Sequence, residues 1–538
     1  MLKRFICVIL VISLALSLWY VAHTTDDPDY TQRFSEVADE AAPEDGQEEQ
    51  GIAPAVDDGS LTLWYADEAL TDYLQSVALS FQQDTGTKVN IVLKDGVSFL
   101  EEINAASLGE GTDPLQVAPD LYITSHDNLL RAYLSGLASV ITDPDGVVVP
   151  SMFPETAINA VTCYDHAVAY PLYYETNFFL YNKTYMASIA QNKIESDADI
   201  ALAEEATEEL MEKGTPKEEA EEIKADDSGD GEDSENNGRD FEDTEEENPM
   251  GEEDAVADQA VLEKLATMIP STIEDIKTFA NNYDAPEAVE SVFKWDVTDI
   301  FYNYFFVGNY MDVGGEHGDN AAIFNIYNSQ AVECLTAYQG MNQFFSIDPK
   351  VDSYSNILQD FIDGKMVFTV ATTDAIARIH EAQKRGDFNF EYGVCTLPDI
   401  SSLLKARGLS VTDAVTINGY SGKKAEANML ATYLVCNKAS DLYMKSGKVA
   451  CLKTVEYEDP EIANVMDEYK KSMPLPKMVE AANYWVQLEI AFTKVWNGSD
   501  PDATLKELSD TIGAQIEEIR ANLPTQESFS AGAGSFVQ

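Results

Sequence analysis

Residues 158–186 read INAVTCYDHAVAYPLYYETNFFLYNKTYM, and the reading of this stretch decides the fold. A short extended piece reaches Tyr164-Asp165-His166, a polar turn that reads as a hairpin. A second strand climbs from Ala167 to Tyr170 and meets Pro171. Proline removes a backbone donor and holds the residue before it extended, so the chain is expected to leave its sheet there. Tyr173, Tyr174 and the lone carboxylate Glu175 follow, and FFLYN rebuilds a strand. A segment that leaves one sheet, presents Tyr-Tyr-Glu and enters another has the form of a hinge between two lobes. A cleft at such a hinge has aromatic walls and a fixed acceptor, which suits a polar ligand with apolar faces, such as a sugar. The competing reading is an ordinary buried core with Glu175 facing solvent, because aromatic runs usually pack.

The 538 residues suffice for two or three domain-sized units. A formal charge of −61 repels phosphate and argues against a nucleic-acid partner. Much of that charge is local. Residues 195–259 carry 28 acidic and 4 basic side chains, and residues 24–59 carry 12 and 1. The N-terminus has the basic MLKR, then the apolar run FICVILVISLALSLWYVA up to Ala22, with Trp19 and Tyr20 placed like an interfacial belt. Residues 1–22 therefore read as a signal anchor or transmembrane segment, with a cleaved signal and a secreted form as the alternative. Positive charge ahead of the run puts the rest of the chain on the extracellular face of the cell membrane. Six cysteines without a CxxC pair, and only five histidines, speak against a structural zinc site. A bridge between Cys436 and Cys451 is compatible with the sequence.

Residues 23–59 are acidic and aperiodic and read as a disordered linker. SLTLWYAD (60–67) is an alternating strand ending at Asp67-Glu68. Leu70, Tyr73, Leu74, Val77, Ala78 and Phe81 then repeat at helical spacing, and KVNIVL (88–93) is a second strand. Strand–helix–strand order implies a parallel α/β sheet, with Asp67 and Glu68 on the carboxyl edge where such sheets bind ligands. APDLYITSHDNLLRAYLSGLASVI (118–141) repeats the pattern and puts Asp127 on the same edge. Residues 190–260 read as an acidic insertion, largely disordered, with a helical pair capped by Ser196 and Thr215. Its DSGDGEDSE lacks the glycine, acid and flanking helices of an EF-hand, so no metal site and no cofactor is assigned. The helix 502–522 closes the fold and residues 526–538 are a tail.

Five motifs in order carry a resemblance. They are the first strand and helix leading to Thr85-Gly86-Thr87-Lys88-Val89, and Pro119-Asp120 leading to His126-Asp127 and Gly136-Leu137. Next come Ala169-Tyr170-Pro171 through Glu175 to Tyr181-Asn182-Lys183, then PSTIEDIKTF from Pro270, and last Met473-Pro474-Leu475-Pro476. Together they resemble the maltose-binding-protein-like, family 1 extracellular solute-binding proteins, over nearly all of residues 60–522 outside the insertion. The resemblance implies an α/β, two-lobed, type II periplasmic-binding-protein-like fold with an interlobe hinge. The N-lobe would hold 60–172 and 372–432, and the C-lobe 173–371 and 433–525 with the insertion inside it. It implies no enzyme but the extracellular substrate-binding component of an ABC importer, a monomer that delivers a carbohydrate to membrane permease subunits. A membrane-anchored sensor or adhesion protein on the same fold, or a non-sugar solute such as a polyamine, are the alternatives.

The implied ligand carboxylates are Asp67, Glu68, Asp127 and Glu175. The implied aromatics are Tyr173, Tyr174, Tyr302 (with Trp295 and Tyr304 as alternates) and the pair Tyr484 and Trp485, and Thr372 ends the second interlobe strand near the ligand. Carboxylates accept charge-assisted hydrogen bonds from sugar hydroxyls while rings stack on sugar faces. The family's stacking tryptophan just before the His-Asp pair is Thr124 here, which speaks against long malto-oligosaccharides. No nucleophile elbow, P-loop or H-E-x-x-H motif supports catalysis.

Overall fold

In a computed structural model, residues 59–109, 117–142, 146–212, 252–481 and 483–522 are described. The expected anchor (1–22), nearly all of the linker, the centre of the insertion with Thr215, and the tail lie outside them. Among the described residues no helix is long and apolar enough to cross a membrane.

The N-terminal elements follow the sequence pattern. Strand β1 (Leu61–Tyr65) leads into α1 (Thr71–Thr85), which buries Tyr73, Leu74, Val77 and Phe81, and then into β2 (Val89–Leu93). Helix α2 (Phe99–Leu108) and β3 (Leu121–Ser125) follow, and β1 pairs in parallel with both β2 and β3. After α3 (Glu155–Val161), β4 (Thr162–Cys163) and β5 (His166–Ala167) form the expected hairpin. Tyr164 and Asp165 at its tip both take left-handed backbone, φ 46° and 65°, as a two-residue hairpin turn demands.

The next element departs from expectation. The chain does not leave the sheet at Pro171; a single strand, β6, runs from Ala169 to Asn182. Its partner β12 (Leu409–Ile417) meets Pro171 at Ala414 and Tyr173 at Asp413, so Leu172 forms a bulge that absorbs the missing donor. The first half of β6 pairs with β12, which in turn pairs antiparallel with β3. The second half pairs antiparallel with β10 (Met366–Thr372) and β11 (Tyr392–Cys395), and β7 (Ser291–Lys294) lies outside β10. The resulting order β2-β1-β3-β12-β6-β10-β7 is one continuous path in which β6 belongs to two sets of strands. The small hairpin β8 (Asp312–Val313) and β9 (Phe324–Asn325) stands apart.

Helix α4 (Lys183–Glu212) continues directly from β6, so Ser196 lies inside a helix and caps none. It packs beside α5 (Glu252–Met268), with Lys264 Nζ 2.9 Å from Asp197 Oδ2, so the ends of the insertion nearest the fold are helical. Helix α6 (Ile273–Asn282) starts in a capping box made by Thr272 and Asp275.

Helices α7 (Ser329–Phe344), α13 (Tyr484–Trp496) and α14 (Pro501–Asn522) pack together beside β7 and β10 around Trp295, Tyr338, Phe492 and Trp496. Helices α8 (Tyr354–Ile362), α9 (Asp374–Arg385) and α12 (Pro460–Tyr469) share a second core with α1, while β3 and α2 enclose a third around Trp64 and Tyr122. Helix α10 (Lys424–Thr432) leads through a π turn to α11 (Ala439–Ser446), and the run packs on α1. Tyr73 Oη donates to the Leu434 carbonyl and the Phe81 and Tyr433 rings meet edge-on at 5.3 Å. Residues 433–446, expected in the second lobe, thus contact the first helix. No disulfide joins Cys436 to Cys451.

Candidate functional site

Side chains alternate along an extended strand, and β6 shows what that does to a Tyr-Tyr-Glu run. Tyr174 faces the core shared with α12, fully buried, its ring stacked on Tyr469 at 3.8 Å and 5°. Its expected place in the cleft is corrected. Tyr173 and Glu175 face the other side, followed on that side by Asn177, Phe179 and Tyr181.

Glu175 is half-exposed and Oε1 lies 2.9 Å from Lys448 Nζ. The same ammonium lies 2.9 Å from Asp67 Oδ2 and 5.1 Å from the centre of the Tyr173 ring. Tyr173 Oη donates to Asp67 Oδ2 at 3.3 Å, and Asp67 Oδ1 accepts the Ala69 N–H at 3.0 Å, capping the turn after β1. Lys448 reaches this point because Gly447, at φ 71°, ends α11 in left-handed backbone. The chain then enters β13 (Val449–Ala450), which pairs with Tyr173 and Tyr174. Burial opposes charge on Asp67, but Lys448 outweighs it and holds the carboxyl below its usual range. Burial likewise favours a neutral Lys448, and Glu175 and Asp67 reverse that and hold its ammonium well above the ordinary lysine range.

Asp413 completes the group. It sits opposite Tyr173 on β6 and Ser125 on β3, and among the described residues its carboxyl has no hydrogen-bond or ion-pair partner. Burial first, then the neighbouring Glu175, push it up to about 8, with Asp127 and Asp67 adding to the rise and Lys448 opposing it. Asp127 is exposed and accepts from Ser125 Oγ at 2.6 Å. Buried His126 anchors that turn: its Nδ1 accepts the Thr412 N–H at 3.0 Å, which leaves Nε2 to donate to the Leu475 carbonyl at 3.0 Å. Burial, then the Lys477 charge, press this imidazole down to about 4, so it stays neutral. A cavity of about 390 Å3 opens here, lined by Asp67, Phe99, Thr124, Ser125, Arg131, Tyr173 and Asp413 among others. Arg131 pairs with Glu101 at 3.6 Å. A larger cavity of about 820 Å3, between α4 and α6, contains none of the sequence-predicted site residues. The smaller one is the better site, because it is where charge converges on the shared strand.

The structure therefore brings Asp67, Asp127, Tyr173 and Glu175 together. Glu68 is exposed in the turn beside Asp67. Thr372 and Tyr302 form a neighbouring group. Thr372 pairs with Asn177, two residues beyond Glu175, and so shares its face of the sheet. Its hydroxyl bonds to Asp374, Tyr354 Oη donates to Asp374 Oδ1 at 2.7 Å, and the Tyr354 and Tyr302 rings stack at 4.7 Å. Tyr484 is fully buried with its hydroxyl against Met311 Sδ, so it lies in the core and not on a cleft wall. Trp485 is partly exposed and meets Tyr304 edge-on at 5.5 Å. The alternates Trp295 and Tyr304 are both fully buried. Sequence reasoning missed Lys448 and Asp413. Asp413 had a signal, a lone acid in the otherwise apolar and threonine-rich strand VTDAVTI, whereas Lys448 had none.

The raised Asp413 carboxyl has a thermodynamic consequence. Unfolding lets it ionise near its ordinary value, while the folded chain keeps its proton up to about pH 8. Its stabilising contribution is thus complete below about pH 4 and lost as pH rises through about 8. Asp413→Asn is expected to match the parent's thermal midpoint near pH 4. It should exceed the parent at about pH 8–9, by a few degrees for each kcal/mol recovered. Midpoints measured across that range test this; a difference that shrinks with rising pH contradicts it.

No protein-family model matches the chain. Solved structures share its fold. An extracellular solute-binding protein from Staphylococcus aureus, in complex with maltose, superposes with a TM-score of 0.60 at 18% identity, covering 86% of this chain and 98% of that one. A cyclo/maltodextrin-binding protein complexed with maltotetraose gives 0.60 at 17% identity, covering 90% and 100%. The maltose-binding periplasmic protein of Listeria monocytogenes, in complex with maltose, gives 0.58 at 18%, covering 87% and 99%. The chain has the mixed α/β fold of these two-lobed binding proteins.

Proposed function

We propose that this protein binds a saccharide between two lobes that share β6, and delivers it to an ABC permease from the outer face of the membrane. The observation that carries this reading is that Asp67, Asp413 and Tyr173 line one cavity on the strand common to both sets, with Glu175 joined to Asp67 through Lys448 and Asp127 close enough to act on the Asp413 charge. Carboxylates there accept from sugar hydroxyls and Tyr173 offers an apolar ring edge. Contacts to Asp67 and Asp127 come from one side of β6, and contacts to Tyr302 and Thr372 from the other. A ligand touching both favours the closed arrangement by its differential affinity for it. The fold's resemblance to proteins solved with maltose and maltotetraose supports a saccharide, and the lack of a catalytic motif supports binding without turnover.

The test is a thermal-shift panel of mono- and oligosaccharides on the purified protein. A ligand that binds only the folded state at 100 times its Kd adds about 2.7 kcal/mol and must raise the midpoint. A saccharide that raises it supports the reading. Silence across all saccharides, neutral and charged, overturns it.

A further inference from the structure

Resting on the saccharide reading, we infer that Lys448 is a displaceable gate: its ammonium holds the place that saccharide hydroxyls take between Asp67 and Glu175, and a bound saccharide moves it aside. The chain fills its own contact set. Lys448 Nζ lies 2.9 Å from both Asp67 Oδ2 and Glu175 Oε1, with the centre of the Tyr173 ring 5.1 Å away. A carboxylate offers about four acceptor positions. Asp67 spends two at Oδ2, on Lys448 and Tyr173 Oη, and another at Oδ1 on the Ala69 N–H. Asp67 and Tyr173 line the cavity of about 390 Å3, whereas Glu175 does not, and Lys448 is the group that joins it to Asp67. Past Glu175 on the same face of β6 comes Asn177, which pairs with Thr372. Lys448 thus stands where a ligand in the cavity would extend along β6 toward Thr372 and Tyr302.

The gate has room to open. The side chains of Lys448, Asp67 and Glu175 are 22%, 34% and 42% exposed, so the ammonium reaches water by rotation about its own four-carbon stem. Ion pairs with this much solvent contact contribute little, and charge-assisted bonds from sugar hydroxyls to the released carboxylates replace them. Salt screens the pairs further, so opening becomes easier as ionic strength rises.

The experiment runs the saccharide panel, maltose and maltotetraose included, on the full chain and on its Lys448→Met and Lys448→Arg variants. Calorimetry then measures the affinity of each hit at low and high salt. Methionine keeps an apolar stem without the charge, whereas the arginine fork grips carboxylates harder than an ammonium does. Lys448→Met is expected to bind at least about tenfold more tightly than the parent, and Lys448→Arg more weakly than the parent. For a neutral saccharide, the parent's affinity should rise with salt and that of Lys448→Met should not. A lysine that only supports the fold, or that donates to the ligand, gives the reverse order, because arginine replaces it and methionine does not. If Lys448→Met binds no more tightly than the parent, or Lys448→Arg binds as tightly as the parent, the gate is overturned and the saccharide reading stands. Lys448→Arg keeps the charge and remains informative if Lys448→Met folds poorly. Silence of the parent and both variants across the panel overturns both readings.

Discussion

Trp295→Ala is expected to destabilise the protein by about 3–5 kcal/mol, the range for emptying a large aromatic from a packed core. Trp295 is fully buried, stacked on Phe293 at 5.0 Å, and set edge-on to Trp496 at 5.7 Å and Tyr338 at 6.5 Å. It also has a polar role. Its Nε1 donates to Asn303 Oδ1 at 2.9 Å, and Asn303 Nδ2 donates to the carbonyls of Asp296 and Asp299. Truncation thus leaves a cavity and an unsatisfied buried acceptor in the short helix Ile300–Asn303, which carries Tyr302. Urea unfolding of the variant checks the magnitude. A loss below about 1 kcal/mol would mean the core collapses around the gap, contrary to this packing. Trp295 does not line the cavity beside Tyr173, so affinity measured where the variant is folded should stay near the parent's.

The second large effect falls on binding. Glu175→Ala is expected to weaken the saccharide by about 10- to 100-fold, the scale of one charge-assisted hydrogen bond. Because Glu175 is half-exposed, its pair with Lys448 adds little to stability after solvent screening, and the thermal midpoint without ligand should shift little. Loss of binding without loss of fold separates a ligand contact from a structural one. Asp67→Ala is a poorer probe, since it also removes the cap on Ala69. The complementary substitution Lys448→Met frees both acids, and a cycle with Glu175→Ala measures their coupling. Unchanged affinity in Glu175→Ala would move the site off β6.

Much of this was legible in the sequence because it depends on local periodicity. The helical spacing from Leu70 to Phe81 produced α1, the turn residues at 164–166 produced the β4–β5 hairpin, and strand–helix–strand order produced parallel pairing of β1 and β2. The carboxyl edge of that sheet located Asp67 and Asp127 through topology alone. Pro171 misled because a strand can keep a proline if a bulge removes the need for its donor, and only the partner strand reveals the bulge.

The aromatics were the least legible. Tyr173 and Tyr174 are chemically alike, and only alternation against a packed neighbour sends one to Asp67 and the other under Tyr469. The sequence by itself determined the α/β class, the carboxylate edge and Glu175 as the acid of the shared strand. The tertiary structure alone decided that Lys448, 273 residues further on, neutralises Glu175 and Asp67, and that Asp413 shares their field. The reason is physical: periodicity is written between near neighbours, whereas charge pairing acts through space between residues that only folding brings within 3 Å.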